Sequence, residues 1–326
     1  MNVKRLNVNE LRSYIPLSID LMICSSSYEE RCKTIPNYFA PEEIGSIFVI
    51  ENRDSHESVR ANADYLLSRF KGKSKQVVTS ISRPLETADS LQRAVIESTK
   101  GISIENILID VTTFTHEALL ILLKLLRSYY SQKKILFAYS SASEYSVGDK
   151  IENKWLSRGV VSVRTVLGFS GDTLPSRKTH LIVLVGYEAK RALKLINSLE
   201  PHSIALGFGK SGSETAEKDT EANQHFLNLV KQMPISYCEV KTFEIYCNDP
   251  MRTKNAILVE TEKVKDQNII IAPMNNKITT IGAALANLSR PEIQICYAQP
   301  IEYNYKNYSK PGNHCYLIDL PELFEK

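Results

Sequence analysis

The sequence predicts an α/β chain made of two doubly wound parallel sheets in tandem, and three observations lead there. Short apolar runs bounded by turn residues alternate with helical patterns of roughly 10–15 residues, the signature of βαβ units. The alternation runs through five strands, breaks over the polar, Gly/Ser-bearing stretch 142–178, and then starts again. Anchors recur between the two runs: Tyr28-Glu29 with Tyr187-Glu188, NILID at 106–110 with NIIIA at 268–272, and Tyr139-x4-Glu144-Tyr145 with Tyr297-x4-Glu302-Tyr303. Tyr28 and Tyr139 are 111 residues apart, Tyr187 and Tyr297 110. Several anchors at nearly one offset imply an internal duplication. Right-handed crossovers then give each half a Rossmann-like sheet of order 3-2-1-4-5. The expected division is an N-terminal Rossmann-like domain over 1–150, a linker over 151–178, and a C-terminal Rossmann-like domain over 179–326.

Residues 1–18 read as a short helical lead-in. Strands follow at 19–25, 46–52, 76–81, 106–111 and 134–140, with helices at 29–39, 57–70, 85–98 and 116–130 between them. In the second half, strands are expected at 180–185, 203–208, 236–245, 268–273 and 292–298. Its helices are expected at 187–199, 215–232, 249–264 and 279–288. One apolar run, Gly159–Leu167, lies in the linker, and the Tyr-rich tail after Ala298 is expected to pack across the surface. Strands buried on both faces read as continuous apolar runs, as at 107–109, 135–138, 269–271 and 293–297.

Composition narrows the function classes. The chain is 326 residues long, 43% hydrophobic and 24% charged, which suits two globular domains of about 150 residues each. A net charge of +3 gives no strong case for duplex nucleic acid. The six cysteines show no C-x-x-C spacing, and the histidines show no metal-ligand spacing. No cofactor or metal is expected. The N-terminal stretch has no apolar signal region and no run approaches the length of a membrane span, so the protein is expected to be cytoplasmic.

The candidate site follows from topology. Strands one and four flank the switch point, so the turns after them face one crevice. One turn supplies Ser25, Ser26, Ser27, Tyr28, Glu29 and Arg31; the other supplies Thr112, Thr113, Thr115, His116 and Glu117. Hydroxyls and free N–H groups at helix N-termini suit a phosphate, and an arginine adds charge-assisted pairing. The competing reading is that Ser27 and Thr115 only cap their helices. In the second half the matching positions are Tyr187 with Asn275, Asn276 and Lys277, where Ala272 stands in place of Asp110. If the protein is an enzyme, Glu117, Asp110 and Glu29 are the candidate carboxylates for stabilising or attacking an oxocarbenium-like centre. Gly207-Phe208-Gly209-Lys210-Ser211-Gly212 lacks the first glycine of a P-loop and reads as a loop after a strand. Tyr145, Tyr303, Tyr305 and Tyr308 either stack on bases or cover a domain edge.

Two fused Rossmann-like halves with the stretch Asp110-Val111-Thr112-Thr113-Phe114-Thr115, and with Asn275-Asn276-Lys277 ahead of Gly282-Ala283-Ala284, resemble the CRISPR-associated Rossmann-fold (CARF) domains and their tandem SAVED relatives. The resemblance spans nearly the whole chain. It lacks the glycine of the CARF turn, and His116 stands where a lysine is common. It implies a nucleotide-binding or nucleotide-sensing component of prokaryotic antiviral defence. Its ligand would be a nucleotide or cyclic oligonucleotide, and its effector a separate partner chain. Two other readings are kept. One is an enzyme cleaving an N-glycosidic bond of NAD or a nucleotide with Glu117, like TIR or deoxyribosyltransferase folds. The other is a non-catalytic structural partner subunit.

Overall fold

The computed structural model describes residues 2–16, 18–53, 56–99, 104–130, 133–148, 150, 155–209, 216–232 and 238–323. The chain begins with β1 (Asn2–Asn7), then β2 (Ile19–Ser25), β3 (Ile44–Asn52), β4 (Ser74–Thr79), β5 (Asn106–Asp110) and β6 (Lys134–Tyr145). Helices α1 (Glu57–Arg69), α2 (Pro84–Ser98) and α3 (His116–Tyr129) make the crossovers. Strands β4-β3-β2-β5-β6 lie side by side and pair in parallel. That is the expected 3-2-1-4-5 winding.

The parallel core follows from its side chains. Ile19, Leu21, Met22, Ile23 and Cys24 of β2 and Ile107, Leu108 and Ile109 of β5 are all buried, because helices cover both faces. Asp20 is the charged residue of β2. Its Oδ2 accepts the backbone N–H groups of Glu105 at 2.9 Å and Asn106 at 2.8 Å, which sets where β5 starts against β2.

The second set of strands is β7 (Ser157–Arg158), β8 (Ser162–Thr165), β9 (Thr179–Leu184), β10 (Ser203–Gly209), β11 (Glu239–Ile245), β12 (Asn268–Pro273), β13 (Gln294–Gln299) and β14 (Glu302–Tyr303). Its helices are α4 (Ala189–Leu199), α5 (Ala216–Lys231), α6 (Pro250–Glu262) and α7 (Lys277–Ser289). The sheet order is β11-β10-β9-β12-β13-β8, again 3-2-1-4-5, with β8 added antiparallel at one edge. Ile269, Ile270 and Ile271 are buried, as are Ile293, Ile295, Cys296 and Tyr297. Strands β7 and β14 form a separate antiparallel ribbon.

The chain then returns to the first sheet as β15 (Ser309–Asp319), which lies between β6 and β1. It pairs antiparallel with β1, Asn2 opposite Asp319 and Asn7 opposite His314. One compact unit therefore takes the residues before 145 and after 308, and the other takes 145–308.

Four expectations need correction. The boundaries at 150 and 179 give way to 145 and 308, because the tail is a strand of the first sheet and not a surface wrap. The stretch 157–165 supplies strands to the second unit and is not wholly a linker; residues 151–154 lie outside the described residues. Residues 2–14 form β1 and a 3-10 turn (Val8–Tyr14) in place of a helical lead-in. The span 29–39 holds two 3-10 turns, Glu30–Lys33 and Pro36–Tyr38, where an α-helix was expected. Pro36 has no N–H to give to such a helix and its ring would clash with the preceding turn. Of the loop after β10, Lys210, Ser211 and Gly212 lie outside the described residues. Among the described residues no helix is long and apolar enough to cross a membrane.

Candidate functional site

The register places Cys24 of β2 beside Asp110 of β5, so both strands end at the same level and their turns leave together. Thr113 Oγ1 donates to the Ser25 carbonyl at 2.6 Å, joining the two turns directly. The turns after β2 and β5 therefore meet at Ser25 and Thr113. Ser26 N–H donates to the Ile50 carbonyl at 2.8 Å, and the hydroxyls of Ser25 and Ser26 reach the same oxygen at 3.4 and 3.2 Å. Ser27 Oγ accepts the Glu29 N–H at 3.2 Å, a local turn bond, while its carbonyl accepts Asn62 Nδ2 at 2.6 Å. Thr115 is the N-cap of α3 and accepts the Ala118 N–H at 3.1 Å.

A crevice opens beside these turns. It is lined by Ser25, Thr115 and Glu117, by Asn52 and Thr79 at the ends of β3 and β4, and by Ser80 just after β4. Glu117 lies in the first turn of α3, 3% exposed, where the helix dipole favours an acid. The cavity measures about 20 Å³, room for one or two waters. Asn52, Thr79 and Ser80 are absent from the sequence-based site. They were readable in principle, since in a doubly wound sheet the polar residues that end strands two and three share the level of those that end strand one.

Arg31 and Glu29 do not open onto this crevice. Arg31 is 2% exposed: its Nη2 and Nε meet Glu29 Oε2 at 2.7 and 3.0 Å, and its Nη1 donates to the Ser140 carbonyl at 2.9 Å. Ser309 of β15 donates to the same carboxylate oxygen and accepts Arg31 Nε at 3.0 Å. The pair is a buried clasp between the turn after β2, the end of β6 and the returning β15. Tyr28 and His116 are half-buried beside the two turns.

Asp110 is also internal. Its Oδ1 accepts the Thr112 N–H at 3.0 Å and the Thr112 hydroxyl, whose oxygen accepts the Ser140 N–H at 2.9 Å. Burial raises its pKa from 3.8 to about 7, against the pull of both Thr112 bonds and of the Arg31 charge. The folded protein then holds a proton here that the unfolded chain gives up near its ordinary carboxylate value. Between about pH 4 and 7 this group makes stability fall as pH rises, by at most about 1.4 kcal/mol per pH unit. Asp110→Asn keeps an acceptor for Thr112 and is expected to flatten that slope, gaining most relative to wild type above pH 7. Urea midpoints across the range check this, and parallel curves for the two proteins would refute it.

The second unit has its own clasp. Arg191 Nη2 meets Glu188 Oε2 at 2.7 Å, and its Nη1 meets Glu188 Oε1 at 3.0 Å and the Ser157 hydroxyl at 2.7 Å. The buried Arg191 also lies within electrostatic reach of the phenols of Tyr297, Tyr303 and Tyr308. Tyr303 and Tyr305 stack obliquely at 6.3 Å, and Tyr187 stands 5.5 Å from Tyr145.

The asparagines after β12 are committed as well. Asn275 donates to the Val185 carbonyl and accepts the Asn276 N–H at 2.7 Å, while Asn276 caps α7 through the Thr279 N–H at 3.0 Å. Gly186 crosses this turn so closely that a Cβ would stand 2.3 Å from the Met274 carbonyl oxygen, a distance only glycine tolerates. Lys277, half-buried, is the first residue of α7. Among the described residues no group of three or more His, Cys, Asp or Glu is placed to hold a metal ion.

No family model matches the chain, and no curated protein matches it. Among solved structures, two loose likenesses are these. A UDP-N-acetylglucosamine 2-epimerase is 12% identical, with 81% of this chain and 75% of that chain covered and a TM-score of 0.26. The N-domain of a bacterial malonyl-CoA reductase with NADP is 9% identical, with 84% and 79% covered and a TM-score of 0.24. Likeness at this level says nothing about ligand or chemistry.

Proposed function

We propose that the first unit binds a phosphate-bearing nucleotide ligand at the crevice beside the ends of β2 and β5. On this reading the protein is a nucleotide-sensing component of prokaryotic antiviral defence, related by duplication of one Rossmann-like unit to the CARF and SAVED domains and acting through a separate effector chain. The observation that carries the ligand site is the convergence of Ser25, Thr79, Ser80 and Thr115 with the N-terminus of α3 in one crevice at the switch point. Arg31 takes no direct part, since it is spent on Glu29 and Ser140. With room for one or two waters, the crevice has to widen by side-chain movement to take more than the edge of a phosphate.

The test is calorimetric titration of the purified protein with a panel of linear and cyclic nucleotides. We expect saturable binding of at least one, weakened about tenfold by Thr79→Val combined with Ser80→Ala. Heats indistinguishable from dilution for every member up to millimolar concentration would end the reading.

Glu117 in the same crevice supports a second reading, an enzyme that cleaves the N-glycosidic bond of NAD or a nucleotide. Chromatography of such substrates after incubation should show turnover that Glu117→Gln abolishes. Equal turnover by both proteins would remove Glu117 from the chemistry.

A further inference from the structure

A second pocket lies within the second unit, along the helix that follows β9. Its wall is one face of α4: Lys190, Leu193, Lys194 and Asn197 recur at i, i+3, i+4 and i+7 and all line it. Across from them stand Arg158 and Gly159, Ile301 just ahead of β14, and Glu302, the first residue of β14.

Ile301 is 69% exposed, yet it is held in place. Gly159, at φ +67, passes so close beneath it that a Cβ would stand 2.6 Å from Ile301 Cδ1, and the Ile301 N–H donates to the Arg158 carbonyl at 3.1 Å. A fixed, solvent-facing isoleucine beside Leu193 makes an apolar floor. The charge is equally specific. Arg158 is paired with Glu302 at 2.7 Å and stacks over the Trp155 ring at 4.5 Å. Lys190 and Lys194 make no ion pair with a described carboxylate. Two like charges at i and i+4, roughly 5–6 Å apart at Cβ, cost helix stability unless an anion lies between them.

We propose that this pocket binds a small organic phosphate, its phosphate held by Lys190 and Lys194 and its apolar or flat body laid on Leu193 and Ile301. The volume, about 540 Å³, falls in the range of small-molecule sites. Nothing here depends on the crevice of the first unit.

The chain's single tryptophan, Trp155, carries the Arg158 side chain that borders the pocket, so its fluorescence reports occupancy in the full-length protein. The probes are adenosine monophosphate for a flat body, hexyl phosphate for an alkyl one, and inorganic phosphate for the charge alone. We expect saturable quenching by at least one organic phosphate, about tenfold tighter than by inorganic phosphate, and about tenfold weaker in the Lys190→Gln/Lys194→Gln protein. Ile301→Asn, which removes the apolar surface without adding charge, is expected to weaken the organic phosphate and leave inorganic phosphate nearly unchanged. Which organic phosphate binds more tightly tells the flat body from the alkyl one, and either supports the site. No saturable change up to roughly 10 mM, equal affinity for inorganic phosphate, or affinity unaltered in the double lysine variant would each overturn it. A nucleotide seated at the first unit's crevice would not respond to the lysine substitutions, so the two sites fail or stand separately.

Discussion

Ending the chain after Tyr308 is expected to abolish the folded first unit. The last strand, β15, lies between β1 and β6, so its loss strands β1 without a partner and leaves the backbone groups of β6 unpaired on that side. It also removes Cys315, Ile318 and Leu320, which are 0%, 0% and 1% exposed, from the core. Ser309, which bonds both partners of the Glu29–Arg31 clasp, goes with them. Full burial of each large apolar side chain stabilises by about 1.5–3 kcal/mol, so losing these together with the strand pairing on both sides of β15 is comparable to the whole margin of about 5–15 kcal/mol by which a domain is stable. Limited proteolysis is the readout. The truncated chain should be cut quickly at sites before residue 145, while the intact chain resists. Equal resistance of the two would show that β15 is an accessory strand.

Arg31→Ala is expected to be the most damaging single substitution at the clasp. It leaves the Glu29 carboxylate buried, with the Ser309 hydroxyl as its remaining side-chain donor among the described residues, and takes the guanidinium donor away from the Ser140 carbonyl. Removing one partner of a buried pair costs about 3–5 kcal/mol, because the remaining charge is desolvated without compensation. Glu29→Leu combined with Arg31→Met removes both charges while keeping volume, and should recover most of that loss. A global melt reports on both compact units at once, so the measurement is hydrogen exchange at the amides of β2 and β5. A single substitution that left protection unchanged, or a double no better than the single, would show that the clasp is not the tie described.

Both predictions concern contacts that local sequence patterns do not carry. The parallel strands were legible because Ile107 to Ile109 and Ile269 to Ile271 are short β-branched-rich apolar runs, each preceded by an asparagine, the pattern of a strand buried on both faces. Thr115 was legible as an N-cap because its partner is three residues away. The switch-point crevice followed from strand order alone. Arg31 was misplaced for the opposite reason. As a residue type it suits a phosphate equally well, and what diverts it to Glu29 and Ser140 is the arrival of β6 and of Ser309, 278 residues further on.

The sequence by itself determined the alternation of strands and helices, the winding of both parallel sheets and the level at which their turns emerge. These follow from hydrophobic period and from the handedness of short crossovers, which are properties of neighbours along the chain. Only the tertiary structure decided that β1 is a strand, that the tail closes the first sheet, and which carboxylates and arginines are buried against one another. An edge strand takes its partner from the other end of the chain, and an ion pair takes its worth from the water excluded around it. Neither is set by the residues adjacent in sequence.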